Sequence, residues 1–235
     1  MRKKFKVVIF LAIFIFVMIA LLVSPLFQVR QLDIYGNDVI TRHEILEISG
    51  LSVGINIFTF NARGAASRLS EGLPYARDVS IVRHFPDRVA VHLIERVPVA
   101  NLRPAAISTY LLIDSEGVVL AVQNMPRWGL PQITGLSFDA FTVGQPLVVD
   151  NPLVFKDILE LSSIFRIYDF MPNMVDFSNP RDIVLTKGNF RIYFGSMDDA
   201  QTKVRYINEI LQQSPTDRGS LNIRNFDNPS LRFIP

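Results

Sequence analysis

Cysteine is absent from the chain, which excludes a disulfide, a thiolate metal site and a cysteine nucleophile. Histidine is scarce, limited to His43, His84 and His92. No run of basic residues follows Lys6, so the electrostatic footprint of a nucleic-acid binder is missing. A Gly-rich phosphate loop, an internal repeat and a low-complexity tail are missing too. The formal charge of +2 rests on four basic residues near the N-terminus; without them 20 Lys+Arg face 22 Asp+Glu. The bulk of the chain is therefore close to neutral and slightly acidic.

What the chain does have is a long apolar run. No charge occurs between Val7 and Val29, and about 20 apolar residues suffice to cross a bilayer as a helix. Arg2, Lys3, Lys4 and Lys6 precede the run, so residues 1–6 are expected in the cytoplasm, residues 7–27 across the membrane, and everything after Phe27 outside. A cleaved signal peptide is the alternative. The one candidate cut, after Ser24, has Leu22 where a small residue belongs and Pro25 on the far side, which favours an uncleaved anchor. An exported domain without disulfides depends on its core, and 49% apolar content with 18 Phe makes one available.

Residues 28–98 predict an α+β module. Val29, Leu32 and Ile34 form a strand that stops at the turn pair Gly36-Asn37. Thr41-Arg-His-Glu44 is a capping box ahead of Ile45, Leu46 and Ile48, and Gly50 closes the helix. A second short helix runs from Asn61 to Gly72. Two strands follow, carried by Val79 and Ile81 and then by Val89, Val91 and Leu93, on either side of Phe85-Pro86-Asp87. Strand, helix, helix, strand, strand suits a three-stranded sheet with two helices on one face.

Residues 99–235 predict a mixed α/β domain with a mainly antiparallel sheet. Pro98 and Pro104 bracket a short junction. Tyr110–Ile113 and Val118–Leu120 flank Asp114-Ser-Glu-Gly117 as a hairpin. Leu130–Ile133 and Gly144–Pro146 are expected as extended or loop segments. A helix starts near Asn151-Pro152 with Val154, Ile158, Leu161 and Phe165 inward. Strands are expected at Val175–Phe177, Ile183–Leu185 and Phe190–Phe194, then a helix from Asp198 to Gln213 with Ala200, Val204, Ile207 and Leu211 inward. Leu221–Asn225 and Leu231–Ile234 close the chain as short strands.

The candidate chemistry is thin. Gly50-Leu-Ser-Val-Gly54 matches the G-x-S-x-G elbow of a hydrolase, but that motif needs a strand before Ser52 and a helix after it. Here a capped helix precedes it, so Gly50 is better explained as a helix C-cap. A hairpin turning at Pro86-Asp87 puts His84 beside Arg88 and His92 on the order of 13 Å along the strand, too far for shared metal ligation. The carboxylates are scattered, with none forming an acid–base pair. No catalytic, cofactor-binding or metal-binding residue is assigned, and no small-molecule substrate is implied.

Leu73–Ala100 resembles the POTRA domain of the FtsQ/DivIB bacterial cell-division proteins. The resemblance rests on the Arg83-x-Phe85-Pro86-Asp87 hairpin and the Glu95-Arg96-x-Pro98-x-Ala100 exit. Gly36-Asn37, Gly54-Ile-Asn-Ile-Phe58, Leu112–Gly117, Leu130–Gly135, Phe194-Gly195 and Lys203 follow the family order. The resemblance implies a non-enzymatic, single-pass divisome scaffold at the division septum that binds FtsL and FtsB/DivIC and supports septal peptidoglycan synthesis. By position it also implies partner contacts at Asn225, Leu231, Arg232 and Phe233, where a C-terminal edge strand could accept a partner strand. The family usually carries an acid where this chain has Asn222. A POTRA-bearing factor that handles polypeptides in export or membrane assembly is the alternative reading.

Overall fold

A computed structural model describes residues 2–104, 108–213, 218–226 and 229–233, the side chains of residues 2–4 and 233 excepted. Helix α1 spans Arg2–Val23, and its stretch Phe5–Val23 is long and apolar enough to cross a membrane. It stops four residues short of the expected Phe27. Pro25 disfavours helical backbone at the residue before it and donates no N–H. Ser24 instead caps a single 3-10 turn over Pro25–Phe27, its hydroxyl accepting from Leu26 N at 3.2 Å.

Two compact units follow from the contacts, Met1–Glu95 and Arg96–Pro235. The first contains β1 (Gln31–Tyr35), α2 (Arg42–Ser49), α3 (Ala62–Gly72), β2 (Ala76–His84) and β3 (Arg88–Glu95). Its sheet runs β1-β3-β2, with β1 parallel and β2 antiparallel to β3. Alternation along β3 buries Val89, Val91 and Leu93 with Ile45, Leu69 and Leu73 from the helical layer. The capping box is present: Glu44 N donates to the Thr41 hydroxyl, and Thr41 N to the Glu44 carboxylate at 2.8 Å. Gly50 ends α2 in the left-handed region at φ 69°, as its C-cap role requires. Gly36 is constrained further. At φ +79° its added Cβ would lie 2.1 Å from the Leu93 carbonyl oxygen, so no other residue fits that turn.

The second unit contains β4 (Pro98–Leu102), β5 (Tyr110–Asp114), β6 (Val119–Gln123), β7 (Gln132–Thr134), α4 (Pro152–Ile167), β8 (Met174–Asp176), β9 (Ile183–Lys187), β10 (Asn189–Gly195), α5 (Ala200–Gln213), β11 (Arg218–Asn222) and β12 (Ser230–Phe233). They form a nine-stranded sheet in the order β12-β11-β10-β9-β8-β7-β4-β5-β6. Among its described residues only β4–β7, β7–β8 and β10–β11 pair in parallel. Ile158, Leu161 and Phe165 of α4 and Val204 and Ile207 of α5 pack on Ile192, Phe194 and Leu221 of the sheet. Asn151 caps α4, accepting from Val154 N, with Pro152 at the first helical position.

Two expectations about elements change. The junction expected between Pro98 and Pro104 is β4, an inner strand whose Val99, Ala100, Asn101 and Leu102 are all buried. A strand covered on both faces shows no period-two alternation. Leu130–Ile133, expected as an extended or loop segment, ends in β7, too short to carry a period. The strand expected at Leu221–Asn225 begins three residues earlier. Its parallel pairing sets Arg218 opposite Asn189, and Ile223 follows the strand, its N–H donating to Tyr193 O at 3.0 Å.

Candidate partner-binding edge

Among the described residues β12 is the outermost strand of the nine-stranded sheet, with β11 as its neighbour. The antiparallel register sets Gly219 opposite Phe233, Ser220 opposite Arg232, Leu221 opposite Leu231 and Asn222 opposite Ser230. Side chains alternate across the sheet. Leu221 is buried and Leu231 packs half-buried against the same core, whereas Arg232 is exposed. Leu231 therefore anchors β12 to its own domain and leaves chiefly main chain at the sheet edge. The side chain of Phe233 lies outside the described residues.

The other face of this edge is polar. Tyr193, Ser220, Asn222, Ser230 and Arg232 line a shallow cavity of about 280 Å³. Beside it the Arg224 guanidinium makes a bidentate pair with Asp182, at 2.6 and 2.7 Å, and lies 4.5 Å from the centroid of the Tyr193 ring. Arg191 approaches the same ring at 5.5 Å. The Arg224 hydrogen bonds hold the Asp182 carboxyl below its ordinary range, and the Asp182 hydrogen bond raises Arg224. The Asn222 side-chain oxygen accepts from Arg224 N at 3.1 Å, so at this position the amide oxygen organises the bend after β11 without adding negative charge. Asn225 lies in that same bend. Sequence reasoning missed Asp182, because it lies 42 residues from Arg224 and only the fold joins them.

The residues of the resemblance in the first unit and at its exit act as anchors. Arg83 Nη2 donates to Phe60 O, Phe85 stacks on Phe58 at 5.0 Å, and Pro86 follows a cis bond. The Asp87 carbonyl accepts from Arg30 N and Gln31 N. The Glu95 carboxylate accepts from Val39 N and Ile40 N, both at 2.8 Å. Arg96 Nη1 reaches Asp114 and Glu116, both at 2.7 Å, and Pro98 opens β4. His84 pairs with Arg88 and His92 with Ser80 across β2 and β3, so the two histidines sit at separate register positions as expected. Ser52 is exposed in the turn after α2. Among the described residues no three His, Asp or Glu side chains come together as a metal site.

Residues 27–96 match the family model described as "POTRA domain, FtsQ-type". The chain is 25% identical over 199 residues to cell division protein DivIB of Clostridium tetani, covering 83% of this chain and 74% of that one. It is 26% identical over 206 residues to cell division protein FtsQ of Syntrophotalea carbinolica, covering 86% and 71%. Cell division protein DivIB of Clostridium botulinum strain Hall is 24% identical over 223 residues, covering 90% and 84%. Residues 27–96 thus match an FtsQ-type POTRA domain, and over most of its length the chain is similar to FtsQ and DivIB cell-division proteins. Its role is in cell division, and α1 fits the membrane anchor of such a protein. The family names point to a non-catalytic role.

Proposed function

We propose that this protein is a non-enzymatic, single-pass scaffold of the divisome that joins early and late division proteins by binding FtsL and FtsB/DivIC. Through them it supports septal peptidoglycan synthesis. The observation that carries the reading is the position of β12 at the sheet edge. An edge strand offers unpaired N–H and C=O groups to an incoming strand, main-chain hydrogen bonds giving affinity and alternate side chains giving register. In this reading Asn225, Leu231, Arg232 and Phe233 form the partner segment, with Arg232 and the Arg224–Tyr193 stack as its side-chain contacts. POTRA (28–98) and C-terminal (99–235) domains work outside the membrane, beyond the anchor at 7–27 and the cytoplasmic tail at 1–6.

The test is titration of the full chain in detergent or nanodiscs with FtsB/DivIC. Deleting residues 230–235 is expected to abolish binding while circular dichroism and the anchor are retained. Truncating an aromatic anchor at an interface costs about 2 kcal/mol or more, so Phe233→Ala is expected to weaken binding roughly thirtyfold. A folded deletion variant that binds with unchanged affinity would sink the edge-strand reading and move the partner site elsewhere on the protein.

A further inference from the structure

The chain leaving α1 is strapped to two turns of the first unit. Val29 N donates to Ile55 O at 2.8 Å, Gly54 N to Val29 O at 2.8 Å and Ile57 N to Phe27 O at 2.9 Å. Asn56 Nδ2 donates at 2.8 Å to the Leu22 carbonyl inside α1. Arg30 N and Gln31 N donate to Asp87 O at 2.8 and 3.3 Å, tying down the turn between β2 and β3. Arg83 Nη2 reaches Phe60 O and so joins the two turns. Residues 53–60 and 85–87 therefore flank the point at which the chain leaves the apolar helix.

Those turns and the Pro25–Phe27 turn carry large apolar side chains in the open. Val53 is 66% exposed, Phe85 57%, Leu26 54% and Phe58 41%. Three of the rings there run in series: Phe27 to Phe58 at 4.9 Å and Phe58 to Phe85 at 5.0 Å between centroids. Single exposed apolar residues need no explanation, but a contiguous patch marks an interaction surface. Its position says what covers it. The 19-residue stretch Phe5–Val23 spans about 29 Å at 1.5 Å per residue, the thickness of the hydrocarbon layer. The headgroup layer adds roughly 5–8 Å on each side. Leu26 and Phe27 follow Val23 after only Ser24 and Pro25, so they and the turns strapped to them fall in that layer.

We propose that Leu26, Val53, Phe58 and Phe85 seat the first unit in the interfacial layer of the bilayer that α1 crosses. The occupant is lipid, contacted by the base of the domain, and the membrane-anchor reading is its premise. The turn motif Arg83-His-Phe-Pro-Asp87 then has a task beyond folding: Arg83 and the Asp87 carbonyl hold Phe85 at the depth of the helix exit. An aromatic face buried at the interface is stabilised as amphipathic surface elements are. The tether thereby becomes a seat that restricts how the domain tilts above the membrane.

The absence of native cysteine makes single-site labelling clean. Phe14→Cys, Val53→Cys, Phe85→Cys and Tyr35→Cys, each in the full chain, are nitroxide-labelled and placed one per nanodisc of phosphatidylethanolamine and phosphatidylglycerol. Collision with lipid-soluble oxygen is compared with collision with a water-soluble nickel chelate. Tyr35, exposed and about 13 Å beyond Gln31 along β1, reports water, and Phe14 reports lipid. Labels at 53 and 85 are expected to lose nickel access and follow position 14; Val53→Cys leaves the ring stack intact and guards against misfolding at 85. If 53 and 85 follow position 35 while 14 stays in lipid, the seat is overturned and the patch belongs to a protein partner. If 14 itself is open to nickel, the anchor reading falls and the seat falls with it.

Discussion

At Thr41 one side chain satisfies a helix end and sets a titration. The Thr41 hydroxyl and main-chain N–H hold the Glu44 carboxyl below its ordinary range. A carboxyl with a lowered folded pKa stabilises the fold above its unfolded value and loses that contribution as pH falls through the folded value. Thr41→Ala is expected to cost about 1 kcal/mol, and the loss should shrink on moving from about pH 6 to about pH 3 in urea unfolding. Lys203 gives a slope of the same sign at higher pH. It is buried on α5, with Nζ donating to Ser196 O at 3.0 Å and lying 5.0 Å from the Phe194 ring centroid. Burial lowers its pKa, against the opposing pull of Asp198 and Asp199. The unfolded chain then binds the proton more tightly, so this residue makes stability rise with pH in the window below the ordinary lysine value of 10.5. Lys203→Met is expected to flatten that rise, as read from unfolding midpoints across alkaline pH.

At the scale of elements, β4 depends on an ion pair at its entrance. Arg96 and Asp114 are largely buried, with side chains 16% and 4% exposed. The Asp114 Oδ1 also accepts from Glu116 N and Val118 N at 2.9 Å, shaping the β5–β6 turn. Arg96→Ala strands the carboxylate and is expected to cost about 3 kcal/mol in chemical denaturation. Strand β12 allows a finer test than deletion. In an antiparallel pair, the N–H groups along one strand point alternately to the neighbour and away from it. Of Leu231→Pro and Arg232→Pro, one removes a bond to β11 and destabilises the domain. The other removes an outward donor, and it is expected to weaken FtsB/DivIC binding with little change in the unfolding midpoint. Equal effects of the two on stability and binding would argue against strand addition.

For the whole molecule the decisive quantities are topology and place. Four basic residues precede the apolar run and none follows until Arg30, which predicts the N-terminus inside and the two folded units outside. Protease added to spheroplasts should digest residues after Phe27, and full protection would reverse the topology. A fluorescent fusion should form a band at the division site in dividing cells. A uniform envelope signal would favour a polypeptide-handling role for the POTRA module instead of the scaffold.

Local signals were legible in the chain because their causes are local. Thr41 with Glu44, Asn151 with Pro152, the Asp114–Gly117 turn and the alternation of Val89, Val91 and Leu93 each act within a few residues, and each element formed where they predict. The apolar run announced α1, although Pro25 ended it earlier than hydropathy alone suggested. The resemblance over Leu73–Ala100 carried the family. Tertiary structure alone decided β4, whose burial on both faces erases alternation, and β11, whose register comes from pairing with β10. It also decided that Leu231 turns toward its own core, that Arg224 meets Asp182, and that Phe27, Phe58 and Phe85 form one series beside the end of α1. Sheet order and side-chain encounters depend on residues far apart in the chain, and no local propensity encodes which distant partner closes the contact.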